Sequence, residues 1–414
     1  MIVANQSRLK LQHGSGSYRR LLLDLAGLNR QSATELREVA QHRFAAYLGT
    51  PYLVQTPMCR TGIYLAIKHL IKPGQDVIMS PYTIADVVNM VIAAGGKPVF
   101  ADVARSSCNL AASSVEALIG PGTGAVLVTH LHGVAAEIEA LAALCRSRQV
   151  VLVEDAAQAF DAQVGNTKLG TFGDAGVFSF GMYKNINGWF GGAVATPHAE
   201  LAARLQQELL GQPLQSRGFV AGRLLQGALT DLVTSPWLFS LVTRRLFRLG
   251  LTRNIRLINR FIETELDSSR VDTLPPHYLH GCRPAQLALL CQQIDGIAAR
   301  NEQRRRFANQ YLQALEGLPG LILPEPATGD VYSVLPIQVD DRHGLLCHML
   351  RSNCDVAAQH LKNCADLDSF AEFSADCPNA SACAAAVVLL PTYPGYGEQQ
   401  VRRNIAAIRE FLSH

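Results

Sequence analysis

Short apolar runs alternate with longer stretches of helical spacing through the first half of the chain. Val77-Ile78-Met79, Pro98-Val99-Phe100, Ala125-Val126-Leu127-Val128 and Val150-Val151-Leu152-Val153 are brief and rich in β-branched residues, as buried parallel strands are. Between them, Ala85–Ala94 and Ala135–Arg146 repeat their apolar positions at helical intervals. This rhythm predicts an α/β fold with a mostly parallel sheet covered on both faces. Ligands of such sheets collect beyond the carboxyl ends of the strands, so candidate chemistry is sought just after each one.

The rhythm breaks between Gln206 and Arg270. From Arg217 to Arg260 there are eight arginines, no lysine and a single acid, Asp231, interleaved with Phe219, Leu224, Leu225, Trp237, Leu238, Phe239, Leu246 and Phe247. Two readings fit: an amphipathic helix on an anionic membrane or acidic carrier protein, or a helical hairpin burying its apolar face on the rest of the chain. Helical spacing resumes over Pro284–Leu315. A strand-like stretch, Tyr332–Val339, and a closing helix, Glu398–Leu412, predict a separate smaller unit. The expected division is therefore a large domain over 1–300, carrying the arginine-rich insertion at about 211–270, and a small domain over 301–414.

Bulk properties narrow the function classes. With 414 residues and 48% hydrophobic content the chain can bury two cores, and a net charge of +3 gives no global reason to expect nucleic acid. Ten cysteines without metal-site spacing read as reduced thiols, and no metal site is expected. The first residues carry no apolar leader, and no run is long enough to span a bilayer, so a cytoplasmic enzyme is expected.

The chemistry gathers in about 40 residues. The strand at Val150–Val153 runs into Glu154-Asp155, and an acid at that tip could hold the pyridine nitrogen of pyridoxal 5′-phosphate (PLP) protonated. Asp155 could equally cap the following helix. Next, Val177–Phe180 reads as a strand carrying Ser179, with Lys184 five residues on. Ser179 offers a hydroxyl for a phosphate and Lys184 an amine for the cofactor aldehyde, although a lone lysine after a strand is usually solvated surface. Gly188, Gly191 and Gly192 follow, and glycine lets backbone approach a cofactor closely.

The span VLVEDAAQAFDAQVGNTKLGTFGDAGVFSFGMYKNINGWFGGAVAT resembles the cofactor region of the DegT/DnrJ/StrS sugar aminotransferases, PLP enzymes of fold type I. ELREVAQHRFAAYLGT, PGQDVIMSPYTIADVVNMVIAAGGKPVFADV, THLHGVAAEIEAL and VVLLPTYPGYGEQQVRRNIAAIREF are similar to further stretches of that family. The resemblance implies an aspartate aminotransferase-like large domain with a small C-terminal α/β domain. It implies Asp155 at the pyridine nitrogen, Gln158 near the ring, Ser179 on the phosphate and Lys184 as the Schiff-base lysine. It further implies a homodimer, with glutamate as amino donor and a keto sugar or related ketone as acceptor, in nucleotide-sugar, polysaccharide or natural-product biosynthesis.

The chain departs from the family pattern in several places. The usual Ser-Gly-Thr of the phosphate loop reads Met58-Cys59-Arg60, which makes Cys59 and Arg60 the local cofactor candidates. In Pro81-Tyr82-Thr83-Ile84, either Tyr82 shifts in to stack on the ring or the stacking is aliphatic. Phe190 replaces an acid before the double glycine, and Gly281 stands where the partner subunit usually offers asparagine. Arg60, Arg283 and His132 are candidates for the substrate. Two alternatives remain open: a non-catalytic or regulatory protein on the same scaffold, and a PLP or pyridoxamine-phosphate enzyme of altered reaction, which Lys184 argues against. His130, the set Cys354, His360 and Cys364, and the turn at Tyr393 read as structural.

Overall fold

The computed structural model describes residues 5–14, 16–29, 31–253, 255 and 268–413. Seven strands form the large sheet: β1 (Tyr52–Thr56), β2 (Asp76–Met79), β3 (Lys97–Phe100), β4 (Thr123–Thr129), β5 (Val151–Asp155), β6 (Ala175–Ser179) and β7 (Gly192–Thr196). Their order is β1-β7-β6-β5-β4-β2-β3. All pairings are parallel except those of β7, which runs antiparallel to β1 and β6. The mostly parallel α/β sheet expected from the sequence is thus present, and so are its strands at 77–79, 98–100, 125–128 and 151–153.

Alternation along each strand feeds two cores. Val77, Met79, Leu127, Val153 and Val177 face α3 (Cys59–Leu70) and α4 (Ala85–Ala93), among the helices lettered here in chain order after α1 (Ser17–Leu25) and α2 (Ala33–Leu48). Ile78, Val126, Val128, Leu152 and Phe178 face α2 and, beyond α5 (Ala112–Leu118), α6 (Ile138–Arg148). Both faces are covered, so the sheet's polar backbone is closed to water everywhere but at the strand ends.

After β7 come α7 (Ala199–Leu209) and the arginine-rich segment, in which α8 (Arg217–Thr234) and α9 (Arg244–Thr252) are joined through a short helical turn at Pro236–Leu238 and a π-turn at Phe239–Thr243. Ser216 caps α8, its hydroxyl accepting the Phe219 amide at 3.1 Å. Then α10 (Pro284–Gln293) and α11 (Ile297–Leu315) lead to a four-stranded antiparallel sheet. Its strands β8 (Leu321–Ile322), β9 (Leu335–Val339), β10 (Ala357–Ala358) and β11 (Val387–Leu390) lie in the order β8-β9-β11-β10. Three helices complete this part, α12 (Arg342–Arg351), α13 (Pro378–Ala386) and α14 (Glu398–Leu412).

The two units are laced together more than a boundary at residue 300 suggests. Ile297, at the start of α11, packs in the large-domain core, whereas Phe307–Leu315 of the same helix pack in the small one. The N-terminal segment also crosses over. Arg8 forks onto Asp355, with its amide and Nε each 2.8 Å from a carboxylate oxygen, and Tyr393 donates to the Ser7 carbonyl at 2.8 Å.

Candidate active site

The site grows from three adjacent strand ends. β5 finishes on Asp155, which is buried, and the carboxylate accepts the Ala157 amide at 3.0 Å. Glu154 points to the other face and is consumed structurally. It accepts the Gly170, Phe172 and Gly173 amides at 2.8, 2.7 and 2.9 Å, and His130 Nε2 lies 3.1 Å away. His130 Nδ1 accepts the Ala136 amide at 3.2 Å, so Nε2 carries the proton and donates to Glu154. The neighbouring carboxylates therefore have different tasks: Glu154 shapes the loop and Asp155 faces the crevice.

Lys184 follows β6 in a tight loop, its amide bonded to the Gly181 carbonyl at 3.1 Å, and is half-buried. Burial lowers its pKa, while the Cys59 sulfur and the Asp155 carboxylate pull it back up. Burial conversely raises the Asp155 carboxyl, opposed by the Ala157 amide, the Lys184 charge and the Cys59 thiol. Cys59 Sγ is 3.8 Å from Asp155 Oδ1, and burial beside that carboxylate keeps it a thiol. Lysine, aspartate and cysteine thus form one electrostatic group.

Cys59 also opens α3. The N-cap, Met58, supplies no side-chain acceptor, so the first amides of the helix are left for an anion. Gly192, at the start of β7 and opposite Ser179 in the ladder, lets this helix end reach the sheet: a Cβ there would lie 2.6 Å from the Cys59 nitrogen. Ser179, half-buried at the tip of β6, shares this corner. An acid, an amine and an anion-binding corner therefore meet at one crevice, which is the donor set a pyridine ring with an aldehyde and a phosphate requires.

Other expected site residues are placed differently. Tyr82 is fully buried, pairs with Asn363 across a two-stranded ladder, and faces Cys108 and Cys383. Its ring packs in the core between the two units; half-buried Ile84, the N-cap of α4, is left on the open side. Arg60 turns from the α3 amides to an ion pair with Asp86 at 2.6 Å, a hydrogen bond to the Tyr278 hydroxyl at 2.9 Å, and that ring's face. Arg283 ion-pairs with buried Asp24 of α1 and donates to the Gln215 carbonyl at 3.3 Å. Both guanidiniums are already neutralised within the chain.

His132 is fully buried next to Gln158. Its backbone is left-handed (φ 63°), and its amide donates to Gln158 Oε1 at 2.8 Å, which fixes Gln158. Its Nε2 accepts from Gln359 of the small domain at 2.6 Å. Burial, with His360 nearby, lowers its pKa to about 3. His360 is partly open to solvent, and burial with the Lys184 charge lowers its pKa to about 4. Sequence reasoning missed Gln359 and treated His360 as inert; no local pattern marks either, because their partners are over 170 residues away.

The departures around Phe190 have a partner in the insertion. Phe190 packs edge-on against Phe219 of α8, with centroids 5.0 Å apart. Next to it, Trp189 adopts φ 71° and sits under Gly227, where a Cβ would lie 2.4 Å from the indole. Asp231 accepts the Tyr18 hydroxyl at 2.6 Å and lies 2.8 Å from His13. The hairpin thus buries one side on the enzyme, as one of the two readings held. Outside its docked face α8 reaches the crevice mouth, where Gln226 bonds the Tyr183 hydroxyl at 3.4 Å and Arg223 bonds Gln226 at 2.9 Å.

The model of the DegT/DnrJ/EryC1/StrS aminotransferase family matches residues 31–222 and 284–409. The chain belongs to that family. The unmatched stretch between the two segments contains most of α8 and all of α9. Among relatives of this aminotransferase, the spore coat polysaccharide biosynthesis protein SpsC of Bacillus subtilis is 26% identical over 388 residues, covering 90% of this chain and 88% of SpsC. The UDP-N-acetyl-3-dehydro-α-D-glucosamine 3-aminotransferase of Acidithiobacillus ferrooxidans is 28% identical over 362 residues, 86% of this chain and 83% of that one. Among solved structures, DesV of S. venezuelae superposes with a TM-score of 0.72 at 25% identity, with 100% of both chains covered. Helicobacter pylori PseC, at 17% identity, shares the fold with a TM-score of 0.75 over 99% of each chain.

Proposed function

We propose that this aminotransferase uses PLP held on Lys184 to move an amino group from glutamate to a nucleotide-linked keto sugar. The observation that carries the reading is the single electrostatic group of Lys184, Asp155 and Cys59 beneath the uncapped start of α3. When bound, PLP supplies an electron-withdrawing ring that acidifies the substrate carbon bearing the amine.

The chain's own residues do the rest. Asp155, desolvated and bonded to Ala157, would be the carboxylate that keeps a proton on the pyridine nitrogen. The first amides of α3, with Ser179, bind the phosphate. His132 fixes Gln158 alongside the ring. Lys184 would hold the cofactor through its amine, and the same amine would serve as the base that moves a proton. Burial supports that second task, since a lowered pKa increases the share of free amine. A keto-sugar acceptor is supported by the named activity of the A. ferrooxidans relative.

The test is an acceptor screen with purified protein, glutamate and nucleotide-linked 3-keto and 4-keto sugars, following 2-oxoglutarate. Release with one of them is the expected result. Turnover of the donor half alone, with no acceptor used, would discard the keto-sugar reading.

A further inference from the structure

We propose that the α8–α9 hairpin docks the enzyme on an anionic lipid surface, independently of which acceptor the site takes. Nineteen large hydrophobic residues are exposed among the described residues, and nine of them fall between positions 225 and 249. That concentration marks a patch rather than scatter. On α8, Val220, Leu224 and Gly227 are buried toward α1 and Trp189, so Leu225, Leu229, Leu232 and Val233 form a stripe on the outer side. The stripe continues through Trp237, which is 74% exposed, to Leu241, Val242, Leu246 and Leu249.

The charges around the stripe share one sign. Residues 217–253 hold six arginines and one acid, and that acid, Asp231, is spent on Tyr18 and His13. Arg217, Arg245 and Arg253 lie exposed, and Arg244 has an unpartnered, buried Nε. An apolar stripe with a bulky indole at its turn, flanked by arginine, matches the layered chemistry of a membrane face: acyl chains within, anionic headgroups outside. A two-fold contact between copies of this hairpin would set arginine against arginine without a carboxylate between them. A purely acidic protein partner would leave the apolar stripe wet. No helix among the described residues is long and apolar enough to cross a bilayer, so the hairpin lies on the surface rather than through it.

The test uses the full-length holoenzyme, co-sedimented with vesicles of phosphatidylcholine alone or with about one-third phosphatidylglycerol. Binding at least about tenfold stronger to the anionic vesicles, and weakened by salt, is expected. The protein has two tryptophans, and Trp189 is buried, so a vesicle-induced fluorescence shift reports Trp237. Trp237→Phe should abolish the shift but keep binding. The double change Arg245→Glu with Arg248→Glu should abolish binding while the cofactor spectrum stays unchanged. Equal or absent binding to both vesicles overturns the proposal. So does a smaller particle on size-exclusion chromatography for the charge-reversed protein without vesicle binding by the parent, because the hairpin then joins copies of the chain.

Discussion

The crevice and the hairpin use charge in opposite ways. In the crevice Asp155 and Lys184 lie in poorly solvated surroundings with each other as counter-charge, and burial has moved both away from their ordinary pKa values. On the hairpin, arginines stand at the surface and the only acid between 217 and 253 is turned inward. Desolvated, paired charge is costly to disturb and tunes proton transfer, whereas solvated, same-sign charge changes little when one member is lost. The two regions should therefore respond very differently to single substitutions.

The largest effect is expected at Lys184. Lys184→Ala should lower amino transfer by roughly 10³-fold or more, because base and cofactor anchor vanish together. Steady-state kinetics with added PLP checks this, and activity within tenfold of the parent would break the contrast. Asp155→Asn comes next, with a loss of roughly 10²–10³-fold and the chain still folded. Gly192→Ala should weaken cofactor binding by about tenfold or more, since its Cβ, 2.6 Å from the Cys59 nitrogen, forces the anion-binding helix end outward. Cofactor titration by absorbance reads that shift.

A pH test sharpens the crevice side. His132 is held near 3 in the folded chain against an ordinary 6.5, so between those values the unfolded state binds more protons. Stability should therefore be full above pH 6.5 and fall as pH drops through that window, by on the order of 5 kcal/mol. His132→Gln should flatten the slope in chemical denaturation measured at several pH values. The smallest effect belongs to the hairpin. Gly227→Val, whose side chain would enter the Trp189 indole, should cost about 1–3 kcal/mol and leave the cofactor spectrum intact.

Legibility followed the range of the interactions. The runs at 77–79, 125–128 and 151–153 could be read because burial on both faces demands continuous β-branched sequence. The strand-end placement of Asp155, Ser179 and Lys184 could be read because they lie within 30 residues and each follows or ends a strand. The burial of Tyr82 was not legible: its sequence neighbours say nothing of the ladder at Asn363 that draws it into the core. Arg60 and Arg283 looked available for ligands because their partners, Asp86 and Asp24, are set by helix packing and not by spacing. The insertion was visible as an excess of arginine, yet its anchoring through Trp189 and Gly227 depends on a left-handed backbone at a tryptophan, which no propensity announces.

The central claim is that Lys184 and Asp155 form a working PLP site. Its most direct test is the visible absorption spectrum of the purified, PLP-supplemented protein with and without glutamate, beside Lys184→Ala. A cofactor band that requires Lys184 and bleaches on adding glutamate is the predicted result. A parent protein with no band, or one whose band is equally present in Lys184→Ala, would contradict the account.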